Sequence, residues 1–127
     1  MGVRVIWFHH IKSPTKRSHI VNWARELGLR GFSKPGYPGI VICEGSEEDV
    51  VEYVSRLRHL KWKAMQVRAE TTTPLATPND GEQPSDIWHF NDREFLELGE
   101  NGLSELATLC REAGLEEMFL SALKISR

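Results

Sequence analysis

The chain has 127 residues, 40% hydrophobic and 27% charged, with a net charge of −2, a composition that one hydrophobic core can stabilise without disulfides or metal. No apolar run approaches the ~20 residues of a membrane span, and the start Met1-Gly2-Val3-Arg4-Val5 is too short and mixed for a signal peptide. The near-neutral total argues against a strongly electrostatic nucleic-acid binder, yet the charge is polarised: residues 1–68 hold 12 Lys+Arg against 6 Asp+Glu, and residues 69–127 hold 4 against 12.

Val3 to Ile11 is dense in β-branched and aromatic residues on both alternating sets, which predicts a central strand covered on both faces. A helix follows from Ser13 to about Gly28, with Ser13 at its N-cap, Pro14 at the first helical position and an apolar stripe of Ile20, Trp23, Ala24 and Leu27. Lys16 and Arg17 stand in its first turn, where the helix dipole favours acids instead. Residues 32–39, FSKPGYPG, read as a stiff Pro/Gly loop, and Ile40 to Cys43 as a short buried strand. Ser46 then starts a second helix whose first turn is acidic (Glu47, Glu48, Asp49) and whose last turn is basic, with Val50, Val51, Val54 and Leu57 as its buried stripe.

Lys61 to Ala69 reads as a third strand, and the Thr/Pro/Asn-rich stretch of about 71–86 as a long mobile loop. Phe95 to Leu98 is the candidate last strand, and two helices follow: Gly102 to Ala113, and Leu115 to Leu123, the latter offering Met118, Phe119, Ala122 and Leu123 to the same core. This order predicts a single α/β (α+β) domain over residues 1–127. Its expected form is a two-layer sandwich of ferredoxin-like topology, with a mixed or antiparallel sheet and helices on one face. Trp7, Trp23, Ile20, Leu27, Ile42, Val54, Leu57 and Leu106 are expected in one core.

Cys43 and Cys110 are far apart in sequence and read as buried thiols. His9 and His10 are adjacent, so on a strand they point to opposite sides, which argues against joint metal ligation and leaves packing, capping or phosphate contact as their uses. No HxE, CxxC or HExxH spacing occurs, so neither a metal site nor a cofactor is expected, and no motif announces a nucleophile or a small-molecule substrate. A helix N-terminus carrying added cations suits a phosphate, which nominates His10, Lys12, Thr15, Lys16 and Arg17, with Lys34 as a neighbour, for an anion-contacting patch. The alternative is that Lys16 and Arg17 are solvated or pair with acids of the C-terminal half. Trp62, bracketed by Lys61 and Lys63, and Tyr37, near Lys34, have the pattern of stacking rings beside phosphate contacts, against an ordinary sheet aromatic for Trp62.

The segments His10-Ile11-x-Ser13-x-Thr15-Lys16-Arg17, Trp23-Ala24-x-Glu26-Leu27, Gly31-Phe32-Ser33-x-Pro35-Gly36-x-Pro38-Gly39 and Glu44-Gly45 resemble the C-terminal domain that follows the RWD domain in the RWD domain-containing protein 2 group. That domain is related to the C-terminal domain of the spliceosomal pre-mRNA processing factor three. The likeness runs from about residue 7 to 68 and resumes from Leu106 to Leu123. It implies a ferredoxin-like fold and a non-enzymatic role in binding RNA, single-stranded or a small nuclear RNA end, within a ribonucleoprotein. The runner-up is a protein-interaction module attached to RWD-domain proteins. An enzyme of ferredoxin-like ribonuclease or acylphosphatase kind would rest on fold analogy alone. An intracellular location, in nucleus or cytoplasm, is expected, with no membrane partner.

Overall fold

A computed structural model describes residues 1–73, 88–90 and 94–124. Strand β1 (Gly2–Phe8) leads through helix α1 (Pro14–Glu26) to the hairpin β2 (Arg30–Lys34) and β3 (Gly39–Gly45). Helix α2 (Glu47–Arg58) and strand β4 (Met65–Thr72) complete a βαββαβ unit. A two-residue strand β5 (Leu96–Glu97) and helices α3 (Leu103–Glu112) and α4 (Glu116–Leu123) are added to it. The sheet order is β4-β1-β3-β2-β5, antiparallel except for the parallel β2–β5 pair. The first four strands have the split-βαβ order, so the expected mixed, ferredoxin-like α/β fold is what the chain adopts.

Because β1 and β3 are apolar on both alternating sets, the sheet needs a cover on each face. Ile6, Phe8, Val41 and Cys43 pack beneath Ile20 and Ala24 of α1 and Val50, Tyr53 and Leu57 of α2. Val3, Val5, Ile40 and Ile42 face the other way, against Leu106 and Cys110 of α3 and Leu115 and Phe119 at α4. The C-terminal helices therefore add a third layer to the expected two, and the single expected core is two cores separated by the sheet. Trp7 and Trp23 are half-buried at the margins of these cores, Trp23 stacking on His19 at 4.4 Å. In α2 the buried stripe takes Tyr53, whose hydroxyl donates to the Ile20 carbonyl at 2.7 Å, while Val51 is 52% exposed.

Several boundaries differ from those the composition suggests: β1 stops at Phe8 rather than Ile11, and β4 starts at Met65 rather than Lys61. The stretch read as a loop from Phe32 holds β2, and Gly31 permits it: its φ is +137°, and a Cβ there would lie 1.9 Å from the Ile42 carbonyl oxygen. Strand β4 continues through Thr72, closing against Gly2, so the expected mobile loop does not begin at Thr71; residues 74–86 lie outside the described residues. Cys43 and Cys110 are free, buried and on opposite faces of the sheet. No helix among the described residues is long and apolar enough to cross a membrane.

Candidate nucleic-acid interface

Three segments meet at the end of the sheet where β1 leaves it. The Ile11 N–H donates to the Gly36 carbonyl at 3.0 Å and the Gly36 N–H returns a bond to Ile11 at 2.8 Å, tying the β1–α1 loop to the turn between β2 and β3. The His9 N–H donates to the Ala64 carbonyl at 3.1 Å, which adds the approach to β4. Residues 9–12, 35–38 and 61–64 thus form one platform, held by backbone bonds that do not depend on side chains.

Tyr37 stands at its centre, 59% exposed. Lys12 Nζ lies 4.4 Å over the Tyr37 ring, and the His9 and His10 rings approach it at 5.6 and 5.2 Å. Since β1 ends at Phe8, His9 and His10 escape strand alternation, and their rings meet edge-on at 5.4 Å rather than pointing to opposite sides. His10 has its basicity lowered, first by partial burial and then by His9 and by the charges of Lys12, Lys63 and Lys16. Its Nδ1 is buried with no hydrogen-bond partner. The same end carries Trp62, tilted on Phe8 at 4.5 Å, with Lys16 Nζ 4.8 Å over its ring. The indole N–H donates to the Leu57 carbonyl at 2.8 Å, so Trp62 is fixed in the fold with one face under a lysine. Lys16 Nζ also donates to the Lys61 carbonyl.

Of the residues nominated from the sequence, the platform unites His10, Lys12, Lys16, Tyr37, Trp62 and Lys63, and adds His9. Thr15 is exposed on the first turn of α1. Lys34 is placed elsewhere: only 2% exposed, it turns inward and its ammonium donates to the Pro35 and Pro38 carbonyls at 3.0 and 2.8 Å, so it pins the turn beneath Tyr37. Burial lowers its basicity. Arg17 is occupied as well, forming a two-point pair with Glu97 of β5 at 3.0 and 2.9 Å, the pairing with the acidic half that the sequence left open. Arg4 and Arg25 also meet acids of the second half, Glu70 and Glu94. By contrast, among the described residues no carboxylate forms an ion pair with Lys12, Lys16 or Lys63. Lys12, Lys16 and Lys63 therefore give the platform positive charge that these internal pairs do not take up. Among those residues no group of three or more His, Cys, Asp or Glu converges as metal ligands would.

Besides His9, sequence reasoning missed two members of this surface. Trp7, taken as core, is half-buried with the Arg68 guanidinium 4.2 Å over its ring, and lies 6.4 Å from His9. Nothing local in the sequence marked either the Trp7–His9 approach, which is made beyond the end of β1, or Arg68.

The family model for the small nuclear ribonucleoprotein Prp3, C-terminal domain, matches residues 4–120, which include every residue of the platform. The chain belongs to this family. Among curated proteins, the Prp3 C-terminal-domain chain is 36% identical over 59 residues to phomoidride biosynthesis cluster protein F of a fungal species (Fungal sp., strain ATCC 74256). That match takes in 45% of this chain and 20% of that protein, so the chain spans about a fifth of its relative's length. Among solved structures, acylphosphatase from Bacillus subtilis superposes with a TM-score of 0.52 at 16% identity, covering 76% of this chain and 97% of that one. A bacterial light-regulated adenylyl cyclase gives 0.55 at 14%, covering 95% and 34%. Likeness at such identities shows the shared ferredoxin-like fold and nothing of activity.

Proposed function

We propose that this Prp3 C-terminal domain is a non-enzymatic, RNA-binding module of a splicing-type small nuclear ribonucleoprotein, working in the nucleus. The observation that carries the reading is the platform: three lysines without acidic partners among the described residues, Lys12, Lys16 and Lys63, set around histidine, tyrosine and tryptophan rings. Cations neutralise phosphates and supply affinity, and rings beside them hold unpaired bases, which is the chemistry of single-strand recognition. Family membership points to a ribonucleoprotein as the setting.

The runner-up, a protein-interaction module of RWD-linked type, needs exposed apolar surface, for which the last helices are the candidates. Leu106, Leu115 and Phe119 are instead buried against the sheet, which leaves Leu103 and Leu120 as the exposed leucines of those helices. The two readings part on a mapping experiment. Titrating short single-stranded RNA into isotope-labelled protein should shift the amide signals of residues 9–12, 36–37 and 61–64 and leave those of α3 and α4 in place. Shifts confined to the exposed side of α3 and α4 with a protein partner, and none with RNA, would replace the RNA reading by the runner-up.

A further inference from the structure

Strand β4 closes one edge of the sheet, and among the described residues only β1 pairs with it. It is eight residues long and holds neither lysine nor proline, the usual guards of an exposed edge. Thr73 exchanges both its N–H and its carbonyl with Met1, and the Ala64 carbonyl accepts the His9 N–H. Alternation counted from these two ends turns the backbone groups of Met65, Val67, Glu70 and Thr72 away from β1. The two counts meet at a bulge. Val5 pairs with Ala69 while Ile6 pairs with Val67, leaving Arg68 as an extra residue whose guanidinium lies over Trp7. Helix α2 runs the opposite way beside this edge: Glu47 at its start accepts the Thr72 hydroxyl at 3.2 Å, and Arg58 at its end shares a hollow with Met65. Between helix and edge lies an open groove of about 270 Å³, with Val51, Val54 and Val67 along it and Arg58 and Glu70 at its rim. Glu70 is 63% exposed, and no carboxylate among the described residues pairs with Arg58.

We propose that this edge docks a second copy of the chain, the two β4 strands pairing antiparallel about a two-fold axis so that one sheet runs through both copies. Outward-facing groups must meet outward-facing groups. The register that achieves this sets Val67 against Glu70 of the second copy and Met65 against its Thr72. A bulge ordinarily spoils edge pairing. Here the axis passes between Arg68 and Ala69, so one bulge faces the other and the register holds on both sides. The same axis makes the charge self-complementary. Glu70 of the second copy arrives opposite Val67, at the Arg58 end of the groove, and the contact recurs on the other side of the axis. Parallel pairing would instead set Arg58 beside Arg58. A foreign strand could satisfy the backbone, but the surface itself supplies both members of each charge pair, which is what selects a second copy.

The test uses the full chain without RNA. Sedimentation of the parent from micromolar to millimolar protein should show a monomer–dimer equilibrium. Amide hydrogen exchange followed by NMR should find Met65, Val67, Glu70 and Thr72 protected in concentrated protein and exposed on dilution, with Gln66 and Thr71 protected in both. Arg58→Glu and Glu70→Lys should each weaken self-association by about tenfold or more, and an equimolar mixture of the two should recover the parent's affinity. Arg4 keeps Glu47 as a partner in Glu70→Lys, and melting midpoints confirm that both variants fold; if either does not, the exchange pattern of the parent decides. A monomer at every concentration would overturn the proposal, including one whose outward amides are covered by another part of the chain. So would a dimer in which those amides stay exposed, or variants that associate no better mixed than apart. RNA binding at the platform stands or falls separately from all of these results.

Discussion

Arg17 shows how one side chain can carry a first-turn cation against the helix dipole. Its guanidinium grips Glu97 at two points, and both groups retain over a quarter of their exposure, so water and salt screen the pair. Arg17→Gln should cost no more than about 1 kcal/mol in a denaturant titration and leave RNA affinity unchanged, whereas Lys12→Gln should lower affinity and leave stability unchanged. An exchange of these two phenotypes would show that Arg17, not Lys12, faces the ligand. The two cysteines give a second test at this scale. Burial pushes the Cys43 and Cys110 thiols up to about 12. A thiol raised in the folded state keeps its proton when the unfolded chain has lost it. Its contribution to stability is therefore full below the ordinary thiol value of about 8.5 and is lost as pH climbs towards 12. Folded protein should resist iodoacetamide at pH 8, and its denaturation midpoint should fall between pH 8 and pH 10. Rapid alkylation of either thiol without unfolding would contradict its burial.

Among the elements, α2 is the one whose sequence and structure agree most closely. Ser46 Oγ accepts the Asp49 N–H at 3.2 Å and its hydroxyl donates to the Asp49 carboxylate at 2.9 Å, with acids in the first turn and Arg56 and Arg58 in the last. Ser46→Ala should cost about 1 kcal/mol by denaturant titration; no loss would mean that the cap contributes nothing. Helix signals of this kind are local and therefore legible. Strand β2 was hidden because its five residues include Gly31 and run into Pro35 and Gly36, whose composition says turn. What makes it a strand is its pairing with β3, a contact that leaves no local mark. The amphipathic stripes of α3 and α4 predicted helices and buried residues, yet a stripe does not say which face of a sheet it will cover. At the site, Lys12, Lys16, Tyr37, Trp62 and Lys63 were legible as a basic and aromatic grouping. The removal of Lys34 was not, since it depends on a turn folding back on its own lysine; for Arg17 the sequence offered an acid of the C-terminal half as partner but not which one, since Glu97 is 80 residues away. Arg68 was illegible because a bulge, set by register, aims it.

At the scale of the whole molecule, the βαββαβ unit carries the platform at one end, and α3 and α4 close the second face of the sheet. If that closure stabilises the fold, Phe119→Ala, which empties a site only 1% exposed, should cost about 3–5 kcal/mol, a large share of a domain's total. A loss below about 1 kcal/mol, within the range of ordinary surface substitutions, would mean that the C-terminal helices are detachable. The division of charge follows the same plan: several arginines of the basic half are matched within the fold, while Lys12, Lys16 and Lys63, which pair with no carboxylate among the described residues, lie where β1 leaves the sheet. The most direct measurement is the salt dependence of affinity for a short single-stranded RNA, for the parent chain and for Lys12→Gln/Lys16→Gln/Lys63→Gln. Each phosphate contact on a single strand contributes about 0.7 to the slope of log affinity against log salt. The parent should therefore bind with a steep negative slope, which the triple variant should flatten by about 2 while its melting midpoint holds. Binding by the parent that ignores salt, or an identical slope in the triple variant, would contradict the assignment of this platform to RNA.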